Sequence, residues 1–111
     1  MKITELKIYK VKPRWIFLKI STDEGIVGWG ELISGTKTKS VEAAAYEIGE
    51  YLIGKDPMKI EEHWQVLYRS FFRGGPIHMT VLSGIEMALW DIKGKYYNID
   101  RKSTRLNSSH L

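Results

Sequence analysis

The sequence predicts an α+β domain in which a three-stranded antiparallel meander is followed by three helices packed on one face of a small sheet. Apolar residues alternate with a period of two up to about residue 32, and a 3.6-residue period takes over from residue 40. Two turn-forming clusters, Lys12-Pro13-Arg14 and Asp23-Glu24-Gly25, cut the first part into segments of hairpin length. At 111 residues the chain has room for one hydrophobic core.

The first strand is expected over residues 2–11, with Leu6 and Ile8 on one face. The second, residues 15–22, turns Ile16, Leu18 and Ile20 inward, and the third, residues 26–32, carries Val27 and Trp29 between glycines. Pro13 breaks the first connection because it lacks an N–H donor and fixes φ. Ser40 caps the first helix, whose apolar residues Val41, Ala44, Ala45, Ile48 and Leu52 recur at helical spacing before Gly54 stops it. Asp56 and Pro57 read as N-cap and first residue of the second helix, since the missing N–H of proline costs nothing there. Its inner face is expected to be Ile60, Trp64, Leu67, Tyr68 and Phe71. The cluster Arg73-Gly74-Gly75-Pro76 ends it, and the third helix is expected from about residue 79 to residue 96.

Within that last helix, GIEMALWDIKGK (residues 84–95) is apolar around nearly its whole circumference. Leu82, Ile85, Leu89 and Ile92 form a seam, Val81, Ala88 and Trp90 widen it, and only Glu86 and Lys93 make a narrow polar stripe. A helix of this kind needs cover on several sides. The expectation is that a large segment outside this chain supplies it.

Composition narrows the class. The chain is 43% hydrophobic and 27% charged, as ordinary globular domains are. It has no cysteine, which excludes disulfide frameworks, thiolate nucleophiles and cysteine-based zinc sites. No apolar run approaches the ~18 residues of a membrane span, and MKITELKIYK alternates where a signal peptide would be continuously apolar. A cytoplasmic protein with no membrane partner is expected. The net charge of +4 belongs partly to residues 100–111: with those set aside, 14 basic and 12 acidic residues remain. That segment, DRKSTRLNSSHL, has no periodicity and resembles translated adaptor read-through, so it is expected to be an unstructured, non-native tail. The basic charge leaves a small nucleic-acid or protein-interaction module as the alternative class, using the tail cations with Lys37 and Lys39. No nucleic-acid reader motif supports it.

Candidate chemistry is sparse. Glu61, Glu62 and His63 are consecutive on a helix and point in different directions, which does not make a metal site. His63 and His78 lack a Ser, Cys or second His at catalytic spacing and read as packed or exposed. Arg73 with Gly74 and Gly75 can cradle an anion through backbone N–H groups and a guanidinium, or can simply turn the chain. Asp91, between Trp90 and Ile92, needs a structural partner such as a backbone N–H or a lysine if it is buried. Trp15, Phe17, Trp29, Trp64 and Trp90 fall at core spacing, which argues against a base-stacking platform.

Three segments carry a family likeness: TDEGIVGWGE (residues 22–31), LIGKDPMKIEEHWQVLYR (residues 52–69) and SGIEMALWDIKGK (residues 83–95). Residues 1–99 resemble the N-terminal capping domain of the enolase superfamily, in the mandelate racemase and muconate lactonizing branch. PRWIFLKI (residues 13–20) and RGGPI (residues 73–77) are most similar to the galactonate-dehydrating members of that branch. Val81 stands where the branch usually has alanine, and the resemblance stops at Ile99, where Asp100 replaces a proline or small residue.

The resemblance implies a capping domain, residues 1–99, that closes a (β/α)8 barrel of roughly 200 residues or more. It also implies a truncated protein, since no barrel position is present. In such enzymes acid and base groups on the barrel remove a proton α to a carboxylate, and a barrel-bound Mg²⁺ stabilises the product anion before water leaves. The implied parent is a Mg²⁺-dependent sugar-acid hydro-lyase, with racemase or cycloisomerase chemistry as its nearest rival. This chain then holds no catalytic residue, metal ligand or cofactor, and its partners are its own C-terminal barrel, a sugar-acid substrate and, at full length, further copies in a homo-oligomer. Two capping loops, residues 12–15 and 32–36, would shut the site. Arg14 is a candidate for pairing with a substrate oxygen, Trp15 for walling the pocket and Arg73 for anion contact, whereas Ser34, Gly35 and Thr36 read as structural.

Overall fold

The sheet is a meander of β1 (Ile3–Val11), β2 (Trp15–Thr22) and β3 (Val27–Leu32), antiparallel in the order β1-β2-β3. Three helices follow: α1 (Thr38–Gly49), α2 (Ile60–Ser70) and α3 (Gly75–Ser109), with a 3-10 turn at Glu50–Leu52. The architecture is the α+β one expected. The computed structural model describes residues 1–11, 15–32, 38–70 and 75–109, and the side chains of all of these but 70 and 99–109.

Strand alternation places Ile16, Leu18, Ile20 and Thr22 of β2 inward, all buried. In β1 a bulge between Ile3 and Glu5 shifts the phase, so Ile3 joins Leu6 and Ile8 on the core side. At the β2–β3 hairpin the Thr22 hydroxyl donates to the Ile26 carbonyl at 2.7 Å and accepts the Ile26 N–H at 3.1 Å. Gly25 there takes φ +80°, a conformation that needs glycine.

A three-stranded sheet has two free edges, and an exposed edge recruits further strands. On β1, Ile3 donates to Lys55 O and accepts from Gly54 N–H, both at 2.8 Å, and the Ile8 N–H donates to the Tyr46 hydroxyl of α1 at 3.1 Å. On β3, the Trp29 N–H donates to Asp91 Oδ2 at 2.9 Å, and Lys95 Nζ donates to the Val27 carbonyl at 2.6 Å. Non-strand groups thus hold both edges. Tyr46→Phe, which removes only the hydroxyl on β1, is expected to lower stability by about 1 kcal/mol, read as a shift in the urea midpoint at unchanged slope.

The core is aliphatic. It joins the inward strand residues to Val41, Ala45 and Ile48 of α1, Leu52, Ile60 and Leu67, and Val81, Leu82, Ile85, Ala88, Leu89 and Ile92 of α3. The α3 seam is therefore buried by the domain's own sheet and helices. External cover is not needed for it; the large hydrophobic side chains that stay exposed on the described part of α3 are Met79, Met87, Trp90, Tyr96 and Tyr97.

The inward face of β3 corrects the sequence expectation. Gly28, Gly30 and Leu32 face the helices, and Trp29 points outward, 42% exposed. The reason is the close approach of α3: a Cβ on Gly30 would collide with the Gly84 carbonyl, and one on Gly28 with the Ala88 carbonyl and the Ile92 side chain. Trp15 and Trp90 are likewise half exposed, at 50% and 53%, and Phe17 and Trp64 only partly buried, so the aromatic residues are not the core.

Helix boundaries also move. Helix α1 starts at Thr38, two residues before the expected Ser40 cap, and ends at Gly49, which lies against the Leu6 side chain. Asp56 and Pro57 do not open α2; the Asp56 carboxylate accepts the Met58 N–H at 2.9 Å in a local turn, and the helix begins at Ile60. On α2 Ile60 and Leu67 are buried as expected, but Tyr68 is exposed and His63 takes an inner position; Phe71 lies outside the described residues. Pro76 falls in the first turn of α3, which starts at Gly75 with φ +68°. The α3 backbone is helical through Ser109, where the sequence predicts no regular structure for residues 100–111. No Pro or Gly follows Gly94, and extending an existing helix needs no new nucleus.

Candidate functional site

Strand register decides which connections share an end of the sheet. Val11 pairs with Trp15 and Ile16 with Leu32, so the β1–β2 connection and the exit of β3 leave from the same end. Helix α3 runs opposite to β3: Gly84 lies against Gly30 and Leu32, Ala88 against Gly28, and Lys95 reaches Val27. Its first residue, Gly75, precedes Gly84 by about 13 Å of helix and points toward that same end. The described residues that flank all three candidate segments therefore lie together at one end of the domain.

Of the predicted site residues, Trp15 stands at the start of β2. Its indole is exposed and stacks on Phe17, with ring centroids 6.3 Å apart and planes 5° from parallel. Arg14 and Arg73 lie outside the described residues, as do Ser34, Gly35 and Thr36. Near this end Lys10 Nζ pairs with Glu42 Oε2 at 2.7 Å, tying β1 to α1 one residue before Val11. That pair is not visible in the sequence, because residues so far apart give no local signal.

Both histidines are buried and held by backbone. His63 places Nε2 2.6 Å from Asp56 O and Nδ1 3.3 Å from the Tyr51 hydroxyl, joining α2 to the turn before it. His78 Nε2 lies 3.1 Å from Leu67 O and links α3 to α2. Asp91 has the two partners foreseen for it, a backbone N–H from Trp29 and the Lys95 ammonium at 3.0 Å. These polar groups secure packing rather than bond making.

Among the described residues no three His, Cys, Asp or Glu side chains are grouped to hold a metal ion. A groove of about 370 Å³ between α2 and α3 is lined by Ile60, Glu61, Trp64, Gln65, Glu86 and Trp90. Among the described residues no helix is long and apolar enough to cross a membrane.

The model of the mandelate racemase / muconate lactonizing enzyme N-terminal domain matches residues 9–100. This chain belongs to that family. D-galactonate dehydratase from Cronobacter sakazakii (strain ATCC BAA-894) is 60% identical over 99 residues, 88% of this chain and 26% of that enzyme. A member of the enolase superfamily from Salmonella Typhimurium superposes with a TM-score of 0.79 at 39% identity, over 86% of this chain and 26% of the other. The 3,6-anhydro-D-galactonate cycloisomerase from Zobellia galactanivorans does so with a TM-score of 0.80 at 28% identity, over 87% of this chain and 29% of the other. This mandelate racemase and muconate lactonizing N-terminal domain thus spans about a quarter of the length of its curated relative.

Proposed function

We propose that residues 1–99 are the capping domain of a Mg²⁺-dependent, cytoplasmic sugar-acid dehydratase whose substrate is D-galactonate, and that residues 100–111 are foreign to it. The observation that carries this reading is the 60% identity to D-galactonate dehydratase over 99 residues. The cycloisomerase relative, at less than half that identity, is the weaker guide to chemistry. The shared end of the three connections supports the role of the domain: side chains there can meet the substrate's distal end and exclude water as the cap closes. Proton transfer and the metal would belong to the barrel, which this chain does not contain.

The test is a chimera in which residues 1–99 replace the matching segment of the Cronobacter enzyme. It is expected to dehydrate D-galactonate to a 2-oxo product with a kcat near that of the parent. In that chimera Arg14→Ala and Arg73→Ala are each expected to lower kcat/KM by about 10- to 100-fold, the loss of a charge-assisted hydrogen bond to substrate, and Trp15→Ala to raise KM. A folded chimera that binds Mg²⁺ but leaves galactonate untouched refutes the substrate assignment. Unchanged kinetics in Arg14→Ala would make that loop a plain strand connection.

A further inference from the structure

The inward positions of β1 run Leu6, Ile8 and Lys10, and the last breaks the apolar rule that the first two obey. Lys10 is in register with Ile16, and Ile16 with Leu32, so it completes a row whose other two members are buried aliphatics. What it meets there is Glu42 of α1, with Nζ 2.7 Å from Oε2. The Glu42 side chain is 29% exposed and its Oε2 atom is closed off from solvent, so the ammonium stands where water would. An apolar pair in such surroundings is commonly as stable as an ion pair or more so. A sequence that leaves its own pattern at such a position points to a role other than stability.

The geometry points to that role. The Ile8 N–H donates to the Tyr46 hydroxyl, so β1 and α1 are joined by two rungs, Ile8 to Tyr46 and Lys10 to Glu42. Two strand residues advance about 6.6 Å and four helix residues about 6 Å, so the rungs keep step along elements that run in opposite directions. One further step reaches the end of β1 at Val11 and the start of α1 at Thr38. There the chain enters the first capping loop, residues 12–15, and emerges from the second, residues 32–36. We propose that Lys10 and Glu42 are a positioning pair: their ion pair fixes the spacing between the anchors of the two capping loops, and through it the width of the substrate opening. This rests on the reading of those loops as the cap of a galactonate site. Neither side chain touches substrate in it; both act through the loops.

Kinetics of the chimera with the Cronobacter enzyme give one arm of the test. Lys10→Met and Glu42→Gln are each expected to raise KM for D-galactonate about 10-fold with kcat within about twofold of wild type, since the reacting groups belong to the barrel. Lys10→Met/Glu42→Gln is expected to be no worse than either single variant, because the same pair is lost in all three. Lys10→Glu/Glu42→Lys restores the pair with its ends exchanged and is expected to bring KM back to within about threefold of wild type. Lys10→Met/Glu42→Leu is expected to keep the thermal midpoint and still show the high KM, which separates positioning from stability. The other arm needs no substrate and reads amide hydrogen exchange in the full chain. In each single variant the amides of Val11 and of Glu42 and Ala43 are expected to exchange about 10-fold faster together, while those of Ile20 and Leu89 keep their rates. A wild-type KM in either single variant, a wild-type KM in the apolar pair, or exchange that quickens on one element alone overturns the proposal. A chimera with the unaltered cap that leaves galactonate untouched overturns the substrate assignment instead, and the exchange arm then decides on the pair by itself.

Discussion

Replacing Gly30 with alanine is expected to cost about 3 kcal/mol or more, enough to leave much of a small domain unfolded at 37 °C. The added Cβ would sit against the carbonyl oxygen, carbonyl carbon and Cα of Gly84, all of them backbone. No rotamer change can relieve that overlap, so α3 must lift off the sheet and loosen the contacts of Ile85, Ala88 and Leu89, which are buried beneath it. Two other glycines serve as controls. Gly94 lies in α3 with open space where a Cβ would stand, nothing within 4 Å, and no positive φ, so Gly94→Ala is expected to stabilise by up to about 1 kcal/mol through helix propensity. Gly25 is also unobstructed but sits at φ +80°, so Gly25→Ala is expected to cost about 1 kcal/mol of backbone strain. Urea midpoints of the three variants, in the order Gly94→Ala above wild type, Gly25→Ala below it and Gly30→Ala far below, check the assignment. A Gly30→Ala protein as stable as wild type would mean that the strand and helix are not in backbone contact.

That glycine also marks where sequence patterning stops being informative. The alternation of Ile16, Leu18 and Ile20 located β2 to the residue, because one face of a half-buried strand repeats every second position. The same rule applied to Val27 and Trp29 selected the wrong face. Apolar alternation assumes that side chains fill the space between layers, whereas here α3 approaches so closely that only glycine fits, and the tryptophan is left outside. The α3 seam was legible at Leu82, Ile85, Leu89 and Ile92, but whether the domain covers its own helix is a property of tertiary packing and not of the helix sequence. Pro76 and Asp56 show a second limit: each carries a helix-start signal, and only the folded backbone decides that the first opens α3 while the second makes a turn short of α2. For the candidate site, Arg14, Trp15 and Arg73 could be nominated one at a time from their loops. That the flanks of those loops share an end follows from strand register and the direction of α3, which no local window contains.

Asp91→Ala is expected to destabilise the domain by about 1–2 kcal/mol and, more visibly, to make it aggregate. The side chain is one end of a two-residue clamp: its Oδ2 accepts the Trp29 N–H at 2.9 Å and lies 3.0 Å from Lys95 Nζ, which in turn donates to the Val27 carbonyl at 2.6 Å. The ion pair itself is partly exposed and contributes at most a few tenths of a kcal/mol. Most of the loss comes from the charge-assisted bond to the backbone. With Asp91 gone, the Trp29 N–H turns to water and Lys95 loses the carboxylate that orients it toward Val27. The neighbouring donor and acceptor on β3 then match what an incoming strand offers, so the closed edge becomes a template. Asp91→Asn separates the two effects, since its amide oxygen can still accept the Trp29 N–H. It is expected to lose less than half as much stability and to remain soluble. Light scattering on samples held a few degrees below their thermal midpoints reads the difference: growth in Asp91→Ala, none in Asp91→Asn or wild type. Equal aggregation by both variants would show that the charge, and not the occupied backbone edge, keeps the strand from pairing.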